Sequence, residues 1–268
     1  MVLFPVIVEN LFRKDGNMKK RYSCLIAVLL CVGWYMTAEG GNADHSSKAQ
    51  VAFIEGTARV ISMEHPKGEA LKNGDVLAKG QEVRVGERSR IELRFPDGTV
   101  MRFAERAVVK LDDIAYRKQD GDKTVKVGLS IGKLWAKVRQ MATPNSRVEV
   151  WTANAVAGVR GTVYRVNAEE DKSAIVKVYD GTVSVEGIPR EKEIQPSPPP
   201  PVPVPGPHAV PPPYHEVTME EWHVIVRSFQ QVTVTPEGKP SEPTDFKPQE
   251  DMDEWVKWNL ERDKKVTF

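Results

Sequence analysis

Cysteine is nearly absent from this 268-residue chain. Cys24 and Cys31 are the only two, and both lie in one apolar stretch near the N-terminus. With that stretch removed, a structural disulfide, a thiolate metal site and a cysteine nucleophile are excluded together. An excess of one charge sign is also missing. Lys and Arg number 38 against 37 Asp and Glu, for a formal net charge of +1. Nothing supplies the positive field that nonspecific nucleic-acid binding needs. The five histidines, His45, His65, His208, His215 and His223, are scattered, and no two share an element at metal-ligand spacing. There is no G-x-S-x-G elbow and no Gly-Lys-Ser/Thr phosphate loop. The expectation is therefore a non-enzymatic protein with no cofactor, no metal and no nucleic-acid partner.

Long apolar runs are lacking too. The longest, Cys24 to Met36, is shorter than the roughly 20 residues a spanning helix requires. It follows the basic cluster Lys19, Lys20, Arg21 and precedes small residues, with Ala38 and Ala43 both placed for cleavage. Residues 18–43 thus read as a signal peptide, and Gly41-Asn42-Ala43 has the better small-x-small pattern. Residues 1–17 carry Pro5, Glu9 and Asp15 ahead of that basic cluster, and read as a mis-annotated leader before a start at Met18. The expectation is a periplasmic or secreted protein with no integral span after cleavage. An uncleaved segment would instead anchor it in the inner membrane.

What the chain does have is valine, isoleucine, leucine and glycine in period-2 alternation over residues 50–188. Ile91 to Phe95, Val100 to Phe103, Arg147 to Trp151 and Ile175 to Tyr179 each place apolar residues on one face and charged residues, expected in water, on the other. Pro96-Asp97-Gly98, Asp180-Gly181 and Asn73-Gly74-Asp75 read as turns, the first two as hairpins. FIEGTARV, FPDGTVMRF, LSIGKLWAKV and VYDGTVSV echo one another around a glycine. The echo fits either a repeated structural unit or the ordinary reuse of glycine hairpins. The fold class expected is mainly β, an antiparallel or solenoid-like stack of short strands and hairpins.

Residues 189–213 are crowded with proline and read as an extended polyproline spacer. Residues 214–268 read as a small helical tail. Thr218 to Glu221 has a capping-box pattern, with Trp222, Ile225, Val226 and Phe229 at helical spacing behind it. A short strand over 231–235, a loop over 236–250 and an amphipathic helix over 253–262 complete the reading. That last helix would carry Trp255 and Trp258 on one face, available to a protein or glycan partner or docked on the β region.

Residues 148–166 read VEVWTANAVAGVRGTVYRV. This run, with LSIGKLWAKV before it, KVYDGTVSV after it and the upstream LKNGDVLAKGQEVRVGERSRIELRFPDGTVMRF, resembles the FecR domain family over about residues 50–187. The resemblance implies a β-rich extracytoplasmic domain. Its namesake members relay a receptor's state to a cytoplasmic sigma factor through a segment ahead of the membrane, and here 17 to 20 residues precede the apolar stretch. The chain looks more similar to exported stand-alone relatives. Gly158 and Gly161 flank Val159-Arg160, a spacing that suggests a bulge or a close backbone approach. Gly158, Arg160, Gly161 and Thr162 are the candidate binding residues. Arg160 would either grip a carboxylate or phosphate or pin the turn against a neighbouring carboxylate. The functional expectation is an envelope scaffold or binding module for a protein or polysaccharide. The other reading is a FecR-like component of a transmembrane signalling route.

Overall fold

The computed structural model describes residues 45–117, 119–141, 143–188 and 223–268. The signal peptide, the proline stretch, the capping box at 218–221 and Trp222 lie outside the described residues.

The strands form long ribbons, each of which starts in one sheet, bends, and continues in a second sheet. The ribbons run in chain order. The first is β2 (Lys48–Glu55) with β3 (Ala58–Ile61). After the short β4 (Glu69–Ala70) and β5 (Val76–Ala78), the second is β6 (Glu82–Val85) with β7 (Arg90–Arg94). The third is β8 (Val100–Phe103) with β9 (Val108–Arg117), and the fourth is the single strand β10 (Lys123–Lys137). After β11 (Arg147–Trp151), the fifth is β12 (Ala155–Val159) with β13 (Val163–Ala168). The sixth is β14 (Ala174–Asp180) with β15 (Thr182–Gly187), and the seventh is β16 (His223–Arg227) with β17 (Gln230–Val234). A minor strand β1 (His45–Ser46) adds to β9, and β18 (Thr244–Asp245) adds to β17.

The front sheet has the order β4-β3-β6-β9-β10-β11-β12-β15-β16. The rear sheet has the order β5-β2-β7-β8-β10-β13-β14-β17-β18. Only β10 belongs to both. Its first half pairs in front up to Ile131, and its second half pairs behind from Gly132. Among the described residues no pairing joins the first ribbon to the seventh, so the ladders stay open and do not close into a barrel. Every neighbour pairing is antiparallel except β10 with β11. The inward side chains of both sheets meet in one apolar core that includes Leu93, Met101, Val127, Leu134, Val166 and Val185.

Every ribbon bends at a residue with positive φ. These residues are Gly56, Arg88, Arg106, Gly132, Gly161, Gly181 and Phe229. A left-handed residue turns the strand sharply over the core, and glycine adopts that conformation at least cost. Three of the four echoing glycines, Gly56, Gly132 and Gly181, are therefore the same structural event. The fourth, Gly98, sits at the tip of the β7–β8 hairpin.

The structure corrects three expectations. Asp180-Gly181 is a bend between sheets and not a hairpin, because β14 lies in the rear sheet and β15 in the front sheet. Residues 223–229 form a strand and a turn, not a helix. Val226 points into the core, while Ile225 and Phe229 are exposed. Nor are residues 223–234 a separate tail. Glu186 pairs with His223 and Val176 with Val232, so the chain after the proline stretch completes both sheets, and residues 44–268 form one unit. The strand expected at 231–235 is present as β17, and the last helix is α1 (Glu254–Asp263), capped by the Asp253 side chain on the Val256 N–H.

Gly161 and Gly158 separate backbone need from space. A Cβ on Gly161, at φ 75°, would lie 2.8 Å from the Gln140 Cα, whereas a Cβ on Gly158 meets nothing nearer than 3.9 Å. Gly161→Ala should cost at least about 1–3 kcal/mol, and Gly158→Ala should stay within about 0.5 kcal/mol of wild type. Urea unfolding of the two variants checks the contrast.

Candidate functional site

The rear sheet's outward face is not the solvated surface that alternation suggested. One cross-strand row runs Phe53, Glu92, Arg102, Trp135, Arg165, Lys177, Gln231 over seven neighbouring strands. Glu92, Arg102, Trp135 and Arg165 are buried, Arg102 and Trp135 completely. The cover is the chain's own C-terminal segment, a strap formed by residues 246–268.

The strap reaches the row through charge. Asp263 accepts from Arg102 Nη1 at 2.6 Å and from Trp135 Nε1 at 2.9 Å. Glu92 accepts from Arg102 Nε at 2.7 Å and from Arg262 Nε at 2.8 Å. Asp251 accepts from Arg165 at 2.9 Å, from Lys177 at 2.7 Å and from the Tyr179 hydroxyl. Lys137 donates to the carbonyls of Asp263 and Val266. Buried charges need such partners, since an uncompensated ion in the interior costs several kcal/mol. The fit is incomplete. Arg102 Nη2, Arg165 Nε and Arg165 Nη1 are buried without an acceptor.

Burial pulls the Glu92 carboxyl upward, but hydrogen bonds from Arg262 and Arg102 and their charges outweigh it, and the group sits below its usual range. Asp251 behaves alike, its burial outweighed by hydrogen bonds from Lys177 and Tyr179 and by the neighbouring cations. Tyr179 is pushed above the ordinary phenol value by burial and by its bond to Asp251.

The signature residues lie at the bend of the fifth ribbon. Gly158 occupies an ordinary ladder position opposite Glu149 and Ser184, so no bulge separates the two glycines. The irregularity falls one step later, between Val163 and Tyr164. Gly161 makes the close backbone approach, against Gln140. Thr162 is buried, and its carbonyl accepts the Val138 N–H at 2.9 Å. Arg160 is exposed and donates to the Thr143 carbonyl at 3.2 Å. It forms no ion pair with a carboxylate among the described residues, so it pins the connection between β10 and β11 through a backbone oxygen. Asp97, read as a turn residue, also forms a buried ion pair with Lys123 at 2.5 Å. No local pattern announces that pair.

The two tail tryptophans take different roles. Trp258 lies between Phe53, Trp255 and the guanidinium groups of Arg90 and Arg262, and docks the helix on the sheet. Trp255 stacks on Trp258 with ring centroids 5.4 Å apart, and its Nε1 is buried with no acceptor. It lines a cleft of about 750 Å³ beside the bends of the first ribbons, together with Arg88, Arg106, Lys133, Glu170 and Glu254. The signature residues do not reach this cleft.

Residues 81–184 match the family model described as FecR protein. This stretch is similar to the FecR domain. The FecR match begins just before β6 and ends inside β15, so it takes in ribbons two to five and most of the sixth. The first ribbon, the seventh and α1 lie outside it. No curated protein matches the chain. Two crystal structures of a protein from Parabacteroides distasonis, described as a candidate anti-sigma factor, are similar to it. The identity is 18% and the TM-score 0.41, over 63% of this chain and 61% of that one. The chain thus spans less than two thirds of that protein's length.

The charged row gives the protein a defined pH response. Glu92 and Asp251 have depressed folded-state values, so their contribution is present above about pH 4 and is lost as pH falls through the folded values. Tyr179, raised, favours the fold below about pH 10 and ceases to do so as pH rises further. The melting temperature should be flat near neutrality and fall on both sides. Glu92→Gln should flatten the acid limb, as followed by thermal denaturation from about pH 3 to 7. An acid limb unchanged in the variant would show that Glu92 is not its source.

Proposed function

We propose that this FecR-domain protein is an exported, non-catalytic binding module of the cell envelope, and that it takes an envelope polysaccharide in the cleft beside Trp255. The observation that carries this reading is the half-buried Trp255 ring on the wall of an open cleft, stacked on Trp258. The cleft volume lies in the range typical of small-ligand sites.

Both charge signs line the cleft. Four cations, Arg88, Arg106 and Lys133 among them, stand against six carboxylates, Glu105, Glu170 and Glu254 among them. Walls with that negative excess disfavour a polyanion. They suit a hydroxyl-rich ligand, whose groups both donate and accept. The stacked Trp255–Trp258 pair adds a rigid apolar surface next to them, as sugar recognition requires.

Two measurements test the proposal. In calorimetric titration with soluble envelope polysaccharides, Trp255→Ala removes the aromatic wall and should weaken binding about tenfold, or about 1.4 kcal/mol. Equal affinity of wild type, Trp255→Ala and Lys133→Ala would remove the cleft from the account. Cell fractionation with intact mass tests export. A soluble species beginning near Asp44 is expected. An uncleaved species in the inner membrane would instead support a tethered relay, the role that the FecR resemblance implies.

A further inference from the structure

We propose that the outer face of the rear sheet is a receptor for a carboxylate-bearing helical segment of a partner protein, and that the strap occupies this receptor in cis. The proposal does not rest on what binds in the cleft, although lifting the strap would take Asp253, Glu254 and Trp255 off the cleft wall.

Without the strap, the face presents Arg102, Lys137, Arg165 and Lys177 around Trp135 and Tyr179, with Glu92 as the carboxylate of the row. Three positive charges in excess, with two aromatic rings among them, make a surface for carboxylates on an amphipathic helix. The strap has that form. Its two anchoring carboxylates are Asp251, three residues before the start of α1, and Asp263, the last residue of that ten-residue helix. Their targets, Arg102 on β8 and Lys177 on β14, are three strand spacings apart, or about 14 Å.

Three features mark the strap as an exchangeable occupant and not as core. First, its apolar contacts, chiefly Trp135, Tyr179 and Val256, form a cluster separate from the core between the sheets. Lifting it leaves that core closed. Second, a helix of ten residues is marginal by itself, so it is held by the face and not by its own propensity. Third, Arg102 Nη2, Arg165 Nε and Arg165 Nη1 remain buried without acceptors, the last 3.7 Å from the Asp253 carboxylate. The face offers more donors than the strap satisfies. A partner with carboxylates at the positions of Asp251 and Asp263, and one more acceptor between them, fits better than the strap does.

Hydrogen exchange on the full wild-type chain gives the first test. The α1 amides should exchange at least about 100-fold faster than those of Leu134 and Val166, through opening of the strap alone. Protection of α1 equal to that of the sheet would overturn the proposal. The second test uses a fluorescein-labelled synthetic peptide of residues 246–268. It should bind the Asp251→Asn/Asp263→Asn chain at least about tenfold more tightly than wild type, because the cis occupant is weakened and the face is intact. Adding Arg165→Gln should reverse the gain. Failure of the peptide to bind the folded double variant would also overturn the proposal. Should that variant not fold, the wild-type exchange result decides alone.

Discussion

A strand that serves two sheets must fold over, and every ribbon here does so at a residue with positive φ. That constraint organises the molecule. Seven ribbons each carry one such residue, and the neighbouring backbone closes on it. The Gly132 Cβ position lies 2.7 Å from the Ala107 Cα, and that of Gly181 lies 2.6 Å from the Thr162 Cγ2. Because the bends pack on one another, neighbouring ribbons cannot slip in one sheet without slipping in the other. Register is thus fixed twice, by alternation within each ladder and by the row of bends between them.

Two of the bends use arginine. Arg88 and Arg106 hold φ of 47° and 59°, and both border the cleft. Non-glycine residues in this region cost free energy and persist where the surroundings dictate them. Here the Arg88 N–H donates to Glu105 at 2.7 Å, which offsets part of that cost. The wall of the cleft is therefore preorganised by the same folding-over that builds the sheets.

Much of this was legible in the residues. Period-2 alternation located the strands, and the recurring glycine marked a recurring event. The Asp-Gly pair at 180–181 reports positive φ but not where the chain goes next, so a bend was read as a hairpin. Trp222, Ile225, Val226 and Phe229 have helical spacing, yet Val224 and Val226 also alternate, and over so few residues only pairing with β15 decides between the two periods. The fate of Glu92, Arg102 and Arg165 was beyond any local window, because their partners stand up to 170 positions away. Trp255 and Trp258 were expected on one face of the last helix; they stack there, and their surroundings make one an anchor and the other a cleft residue. The FecR signature was recognisable for a structural reason. Gly161 and Thr162 hold the ribbon bend against the connection that follows β10, and they do so whatever the ligand is.

The two faces of the molecule divide the work. The rear face is covered by the strap, and the front face is bare among the described residues, with Trp151 and Ile225 exposed on it. The chain leaves the front sheet after β15 and re-enters it on the adjacent β16, where Glu186 meets His223. The described residues on either side of 189–222 therefore stand on adjacent strands of one sheet, about one strand spacing apart. The hydrogen bonds of β15 with β16 close that junction, so tension along the sheet passes from strand to strand there and does not depend on the length of the covalent connection.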